Sequence, residues 1–191
     1  MTAPATDDER IARLMLAIDD LYERFRAAPD QKAQVDIVLK MARIKQEVEA
    51  ALSEQRAAVV TLLDRARQAT TDDERAAELI RAFVLLTRHS YIAKEELGDV
   101  NASNETVDQR DTIARQLDAI GSGRRRDLAP LLEDADPRIR QAAAGWLLRI
   151  MPEPALPVLR DLAEKERGTT AGSRASMTLM MYDSDPGLYK K

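Results

Sequence analysis

Apolar positions recur at three- and four-residue intervals along nearly the whole chain, and that period predicts helices rather than strands. Ile11, Leu14, Met15, Ile18, Leu21, Tyr22 and Phe25 form one stripe, preceded by Thr6 and Glu9 at capping-box spacing. Pro29 closes this first helix, because the residue before a proline is driven out of helical backbone. Residues 30–97 contain neither Gly nor Pro, so nothing in them forces a break. A helix over residues 31–69 would span roughly 58 Å at about 1.5 Å per residue. Its seam, Ile37, Met41, Ile44, Val48 and Ala51, alternates by four and three like a coiled coil. Gln55 interrupts that seam, and Val59, Leu62, Leu63 and Ala66 resume it out of phase. The shift predicts either a bend near residues 53–57 or two different packing neighbours.

A third helix opens at Thr71-Asp72-Asp73-Glu74, a second capping box, and carries Leu79, Ile80, Phe83, Val84, Leu85 and Leu86 before fading towards Gly98. The Thr-Asp-Asp-Glu-Arg string occurs at both 6–10 and 71–75. Acidic first turns satisfy free N–H groups and the helix dipole, so they recur without any duplication. Residues 99–105 are rich in turn formers and read as a loop. Beyond them the helices shorten. One runs from 107 to 120 and stops at the glycines of 121–123, and another holds Leu128 to Leu132. Asp136 at N-cap with Pro137 at N1 starts the next, whose buried face is Ile139, Ala142, Ala143, Trp146, Leu147 and Ile150. Ala155, Val158, Leu159 and Leu162 mark a further helix, and Ala175, Thr178, Leu179 and Tyr182 the last. Aligning Leu132 with Leu162 and Ala143 with Ala175 gives a repeat of about 30–32 residues, within the range of helical solenoids.

The leucine pair Leu131-Leu132, the Asp136-Pro137 turn, Arg140 and the paired Ala142-Ala143 resemble the HEAT-repeat pattern. The wider segment 78–185 is similar to a small bacterial HEAT-like family, DUF2019, through Ile113 and Leu117, residues 128–132, Pro152-Glu153 with Ala155, and Ala175 with residues 177–179. The resemblance implies a fold and no particular reaction. The expected architecture is all-α: an N-terminal long-helix hairpin (1–70), short HEAT-like repeats of the right-handed α-solenoid type (71–185) and a tail (186–191). Arg140 is expected to be structural, reaching a carboxylate or helix-end carbonyls of the next hairpin.

Composition narrows the chemistry. The chain of 191 residues has no Cys, which excludes disulfides, thiolate metal sites and Cys nucleophiles. Its only histidine, His89, lies in an apolar helix, so a metal site needing two His is excluded, and no Gly-x-Ser-x-Gly elbow serves a serine triad. No catalytic residue, metal or cofactor is expected. Paired acids at 19–20 and 95–96 point to different sides of a helix, as solvated faces do. The first residues lack the basic-then-apolar order of a secretory signal, no apolar run spans a bilayer, and a cytoplasmic location is expected. A net charge of −4 argues against a general nucleic-acid binder.

Two surfaces remain as binding candidates. Gly123, Arg124 and Arg125 put a glycine turn and cations at a helix start, where a phosphate could sit, although the turn lacks a P-loop ending. Stacked hairpins would line an inner face with Arg138, Gln141, Arg149, Arg174, Met177 and Met181, an adaptable contact surface. Trp146 and the methionines equally suit a core, and Gly145 in mid-helix would be explained by close helix approach. These features point to a noncatalytic protein-interaction module, an immunity protein or adaptor. The alternative is a HEAT-like nucleic-acid-binding or DNA-repair protein, and a homodimer through the N-terminal helices is open.

Overall fold

The computed structural model describes residues 7–95, 100–121 and 123–185. It is all-helical, 88% helix, with no strand among the described residues. The elements are α1 (Asp7–Arg26), α2 (Gln31–Gln68), α3 (Asp72–Glu95), α4 (Val100–Ile120), a 3-10 helix (Arg124–Glu133), α5 (Pro137–Leu147), α6 (Pro152–Lys165) and α7 (Thr170–Ser184). No described helix is long and apolar enough to cross a membrane. Thr6, Gly98 and the tail 186–191 lie outside the described residues, and with them the first capping box and the expected glycine stop of α3.

Contacts divide the chain into two units, residues 1–58 and 59–191. The division falls inside α2, which is one continuous helix by its hydrogen bonds. It falls where the apolar seam changes phase, after Gln55 and before Val59. In the first unit α1 and α2 share a small core of Ile18, Leu21, Ile37 and Met41, with Met15, Phe25 and Ile44 packed around it. The first part of the coiled-coil seam is therefore occupied by α1 of the same chain.

The second unit has one larger core. Val59 and Ala66 from the end of α2 join Leu79, Phe83 and Leu86 of α3, Ile113 and Leu117 of α4, Leu128 of the 3-10 helix, Ala143 and Leu147 of α5, Leu159 and Leu162 of α6 and Ala175 of α7. Each fully buried Leu contributes about 1.5–3 kcal/mol of transfer free energy, so these stripes dominate the folding of the unit. Consecutive elements pack on one another: α3 on α4, the 3-10 helix on α5, α5 on α6 and α6 on α7, with α5 also touching α3 and α7.

The capping predicted for α3 is present. Glu74 N–H donates to Thr71 Oγ1 at 3.2 Å, and the Glu74 carboxylate accepts from Thr71 N–H at 3.3 Å. The Thr70 hydroxyl also donates to the Glu74 carboxylate at 3.0 Å, and this bond, followed by the one from Thr71 N–H, holds the Glu74 pKa below its ordinary value. At α5, Asp136 Oδ1 accepts from Arg138 N–H at 2.9 Å with Pro137 at N1. At α7, Thr169 Oγ1 accepts from Gly172 N–H at 3.1 Å.

The helix expected over Leu128 to Leu132 is present as a 3-10 helix, 124–133, with Pro130 inside it removing one N–H donor. Two expectations need correction. Residues 100–105 are not a loop but the first turns of α4. Gly145 is not a close-approach glycine: a Cβ there would meet only Gln141 Nε2, at 4.0 Å. The close approach is at Gly172, where a Cβ would stand 2.1 Å from the Glu166 carbonyl oxygen.

Candidate functional site

The site begins with the buried stripe of α4. Its C-terminal part is apolar: Ile113, Ala114 and Leu117. Continued backwards at helical spacing, the same stripe carries Arg110, Thr106 and Ser103, all buried. Ser103 and Thr106 are satisfied locally. Ser103 Oγ lies 3.1 Å from Ser90 Oγ of α3, and the Thr106 hydroxyl donates to the Ser103 carbonyl at 2.7 Å. This polar pairing with α3 is why the helix starts early despite turn-forming residues.

Arg110 is different. It is only 5% exposed, and one guanidinium nitrogen donates to Thr87 Oγ1 at 3.3 Å. The Thr87 hydroxyl in turn donates to the Phe83 carbonyl at 2.8 Å. The buried Nε of Arg110 has no acceptor among the described residues. Burial, and then the like charge of Arg174, lower its pKa to about 10, offset only in part by Tyr91. An ionised group buried without a counter-charge is costly, because neither water nor a carboxylate replaces its hydration.

Helices α5 and α7 supply the rest. The Tyr91 hydroxyl of α3 donates to Gln141 Oε1 of α5 at 2.8 Å, fixing that amide, and Arg174 of α7 stacks over the Tyr91 ring with its guanidinium carbon 4.4 Å from the ring centre. Arg110, Gln141 and Arg174 open into a groove of about 640 Å³, with α4, α5 and α7 each presenting a face to it. Five arginines line it, Arg110, Arg115, Arg125, Arg149 and Arg174, against one acid, Asp111. Asp111 is held by Arg115 at 2.6 Å. Arg125 is paired with Asp118 and lies 5.9 Å from the centre of the Trp146 ring. Arg110, Arg149 and Arg174 have no carboxylate partner among the described residues. Trp146, Met177 and Met181 add apolar contact area.

No family model, curated protein or solved structure matches this chain.

Of the six inner-face residues expected from the sequence, the groove brings together Gln141, Arg149, Arg174, Met177 and Met181. Arg138 is not among them. Its guanidinium forks onto Asp136 at 2.8 and 2.9 Å, tying the side chain to its own helix cap. Trp146 has both roles, half-buried against the core and lining the groove.

The residues at the Gly123 turn are engaged within the chain. Gly123 takes a left-handed backbone, φ 115°, Arg124 pairs with Asp73 and Asp127, and Arg125 pairs with Asp118. Both candidate arginines of the turn, Arg124 and Arg125, are thus paired with carboxylates, while the neighbouring Arg126 is exposed. Arg140 also departs from expectation: it donates to the carbonyl of Asp134 at 3.0 Å, closing the turn before its own helix instead of bridging to the next hairpin.

The sequence reading missed Arg110. The signal was present, since the Ile113/Leu117 stripe, extended back one turn, falls on it.

Proposed function

We propose that this chain is a noncatalytic protein-interaction module, cytoplasmic, whose groove between α4, α5 and α7 receives an acidic segment of a partner protein. The observation that carries the reading is charge. A chain of net charge −4 gathers five arginines against one aspartate in a single groove, and three of those arginines have no carboxylate partner among the described residues. Potential focused in a concave site steers an oppositely charged partner and selects against others. Trp146, Met177 and Met181 beside those cations supply the adaptable apolar area that contact surfaces use.

Residues 71–185 are taken as HEAT-like repeats of the right-handed α-solenoid type, akin to the DUF2019 family. The support is the Asp136-Pro137 turn, the Leu131-Leu132 pair and the packing of consecutive short helices. An immunity protein or an adaptor would use such a groove in this way, a reading by analogy of fold.

The test is capture of a partner by the purified chain and by an Arg149→Glu/Arg174→Glu variant, with Arg160→Glu on the exposed side of α6 as control. A partner held by the parent and the control but lost by the groove variant is expected. Capture that ignores the groove variant contradicts the reading. The alternative, nucleic-acid binding or DNA repair, draws on the same arginines and on Arg125 beside Trp146. Salt-sensitive micromolar binding to a DNA duplex at physiological salt would put it first.

A further inference from the structure

Acceptors and donors in the groove are unequal. Gln141 Oε1 is taken by the Tyr91 hydroxyl, which leaves the Nε2 amide facing the space over Gly145, where no side chain stands. The Thr178 hydroxyl is turned back to the Arg174 carbonyl at 2.8 Å. Asp111 is engaged by Arg115. The floor itself is rich in donors: the guanidinium groups of Arg110, Arg174 and Arg149 and the Gln141 amide line it, and the buried Nε of Arg110 has no acceptor among the described residues. A floor rich in donors is complementary to a group with acceptors only. Arg110 and Arg174 also repel one another, and a single negative charge would balance one of them while two would balance both.

Resting on the reading of the groove as a binding surface, we propose that the floor around Arg110, Gln141 and Arg174, with Arg149 at its edge, is a subsite for a tetrahedral dianion: a phosphoryl group, free or esterified to a partner's side chain. The guanidinium fork matches such an oxyanion bidentately, and the fixed Gln141 amide adds a neutral donor. The subsite also gives the buried cation of Arg110 the counter-charge that the described residues do not provide. No covalent step is involved.

The test uses the purified full chain at about pH 8, where phosphate monoesters are dianionic, at ionic strength held constant with sodium chloride. Inorganic phosphate, O-phosphoserine, unphosphorylated serine and acetate are titrated separately, read by calorimetry and by melting temperature. Saturable binding of phosphate or O-phosphoserine is expected, with a rise in melting temperature, and neither serine nor acetate should reproduce it. Tighter binding of O-phosphoserine than of phosphate assigns the subsite to a modified partner, and the reverse assigns it to the free ion. Arg110→Met and Arg174→Met should each weaken binding by about tenfold or more, the scale of one charged hydrogen bond. If Arg110→Met fails to fold, Arg174→Met alone carries the comparison. Phosphate and O-phosphoserine that do no more than chloride, or binding unchanged in Arg174→Met, overturn the proposal. This outcome is separable from the parent reading: partner capture that depends on Arg149 and Arg174, with no response to phosphoryl groups, rejects the subsite and keeps the groove.

Discussion

At the residue scale, Gly172 and Asp136 show how single side chains fix the frame that carries the groove. Gly172 sits in the first turn of α7, where a Cβ would overlap the Glu166 carbonyl. The obstacle is backbone, which cannot swing aside as a flexible side chain would. Gly172→Ala is expected to destabilise the second unit by about 1–3 kcal/mol, the usual cost of overpacking, seen as a lower melting temperature. Asp136 caps α5, accepts the Arg138 fork and lies 3.8 Å from Arg88 of α3. Burial alone would raise its pKa. The hydrogen bond and charge of Arg138, with the Arg138 N–H and the charge of Arg88, outweigh that and leave it below the ordinary 3.8. The folded pKa is depressed, so the carboxylate's stabilisation is present above about pH 4 and is lost as pH falls through the folded value. Melting temperature should drop on acidification below that point, and the drop should be shallower in Asp136→Asn, which starts lower at neutral pH.

At the element scale, α5 is the strip on which the groove depends. Gly145 lies in its last turn, and no neighbour requires the missing side chain. Gly145→Ala should therefore raise stability by up to about 1 kcal/mol through helix propensity, while filling space next to the Gln141 amide. A fall in melting temperature would show that the glycine is structural after all. The helical spacing of 141, 145 and 149 and of 174, 177 and 181 made these two faces legible in the sequence, because a 3.6-residue period sets which residues share a side. The start of α4 was not legible. Asn101, Ser103 and Asn104 have the local chemistry of a turn, and only the pairing of Ser103 with Ser90 on another helix overrides it. Arg110 was legible only by following the Ile113 and Leu117 stripe back one turn, because a charged residue taken by itself is read as solvated. The displaced role of Arg138 was equally invisible, because only the cap geometry decides whether its fork turns to Asp136 or to the groove.

At the scale of the whole molecule, the apolar seams and the groove divide the work of holding the fold together and meeting partners. Ile37 and Met41 of α2 pack on Ile18 and Leu21 of α1, which removes them from any dimer interface. Leu16 of α1 and Val35, Val38 and Leu39 of α2 remain at least half exposed, but the seam residues themselves are occupied within the chain. The chain is expected to be a monomer of 21.3 kDa by light scattering at micromolar concentration, and twice that mass would restore a homodimer through the N-terminal helices.

The groove itself carries its own internal control. Met177 and Met181 line it and are 58% and 47% exposed, whereas Met180, 63% exposed on the same helix, does not line it. Oxidation to sulfoxide follows exposure, so mild peroxide treatment read by mass spectrometry reports occupancy residue by residue. With a captured partner bound, Met177 and Met181 should be protected while Met180 oxidises as fast as in the free chain. Protection of Met180 with Met177 and Met181 still reactive would place the partner elsewhere and contradict the groove as the binding surface.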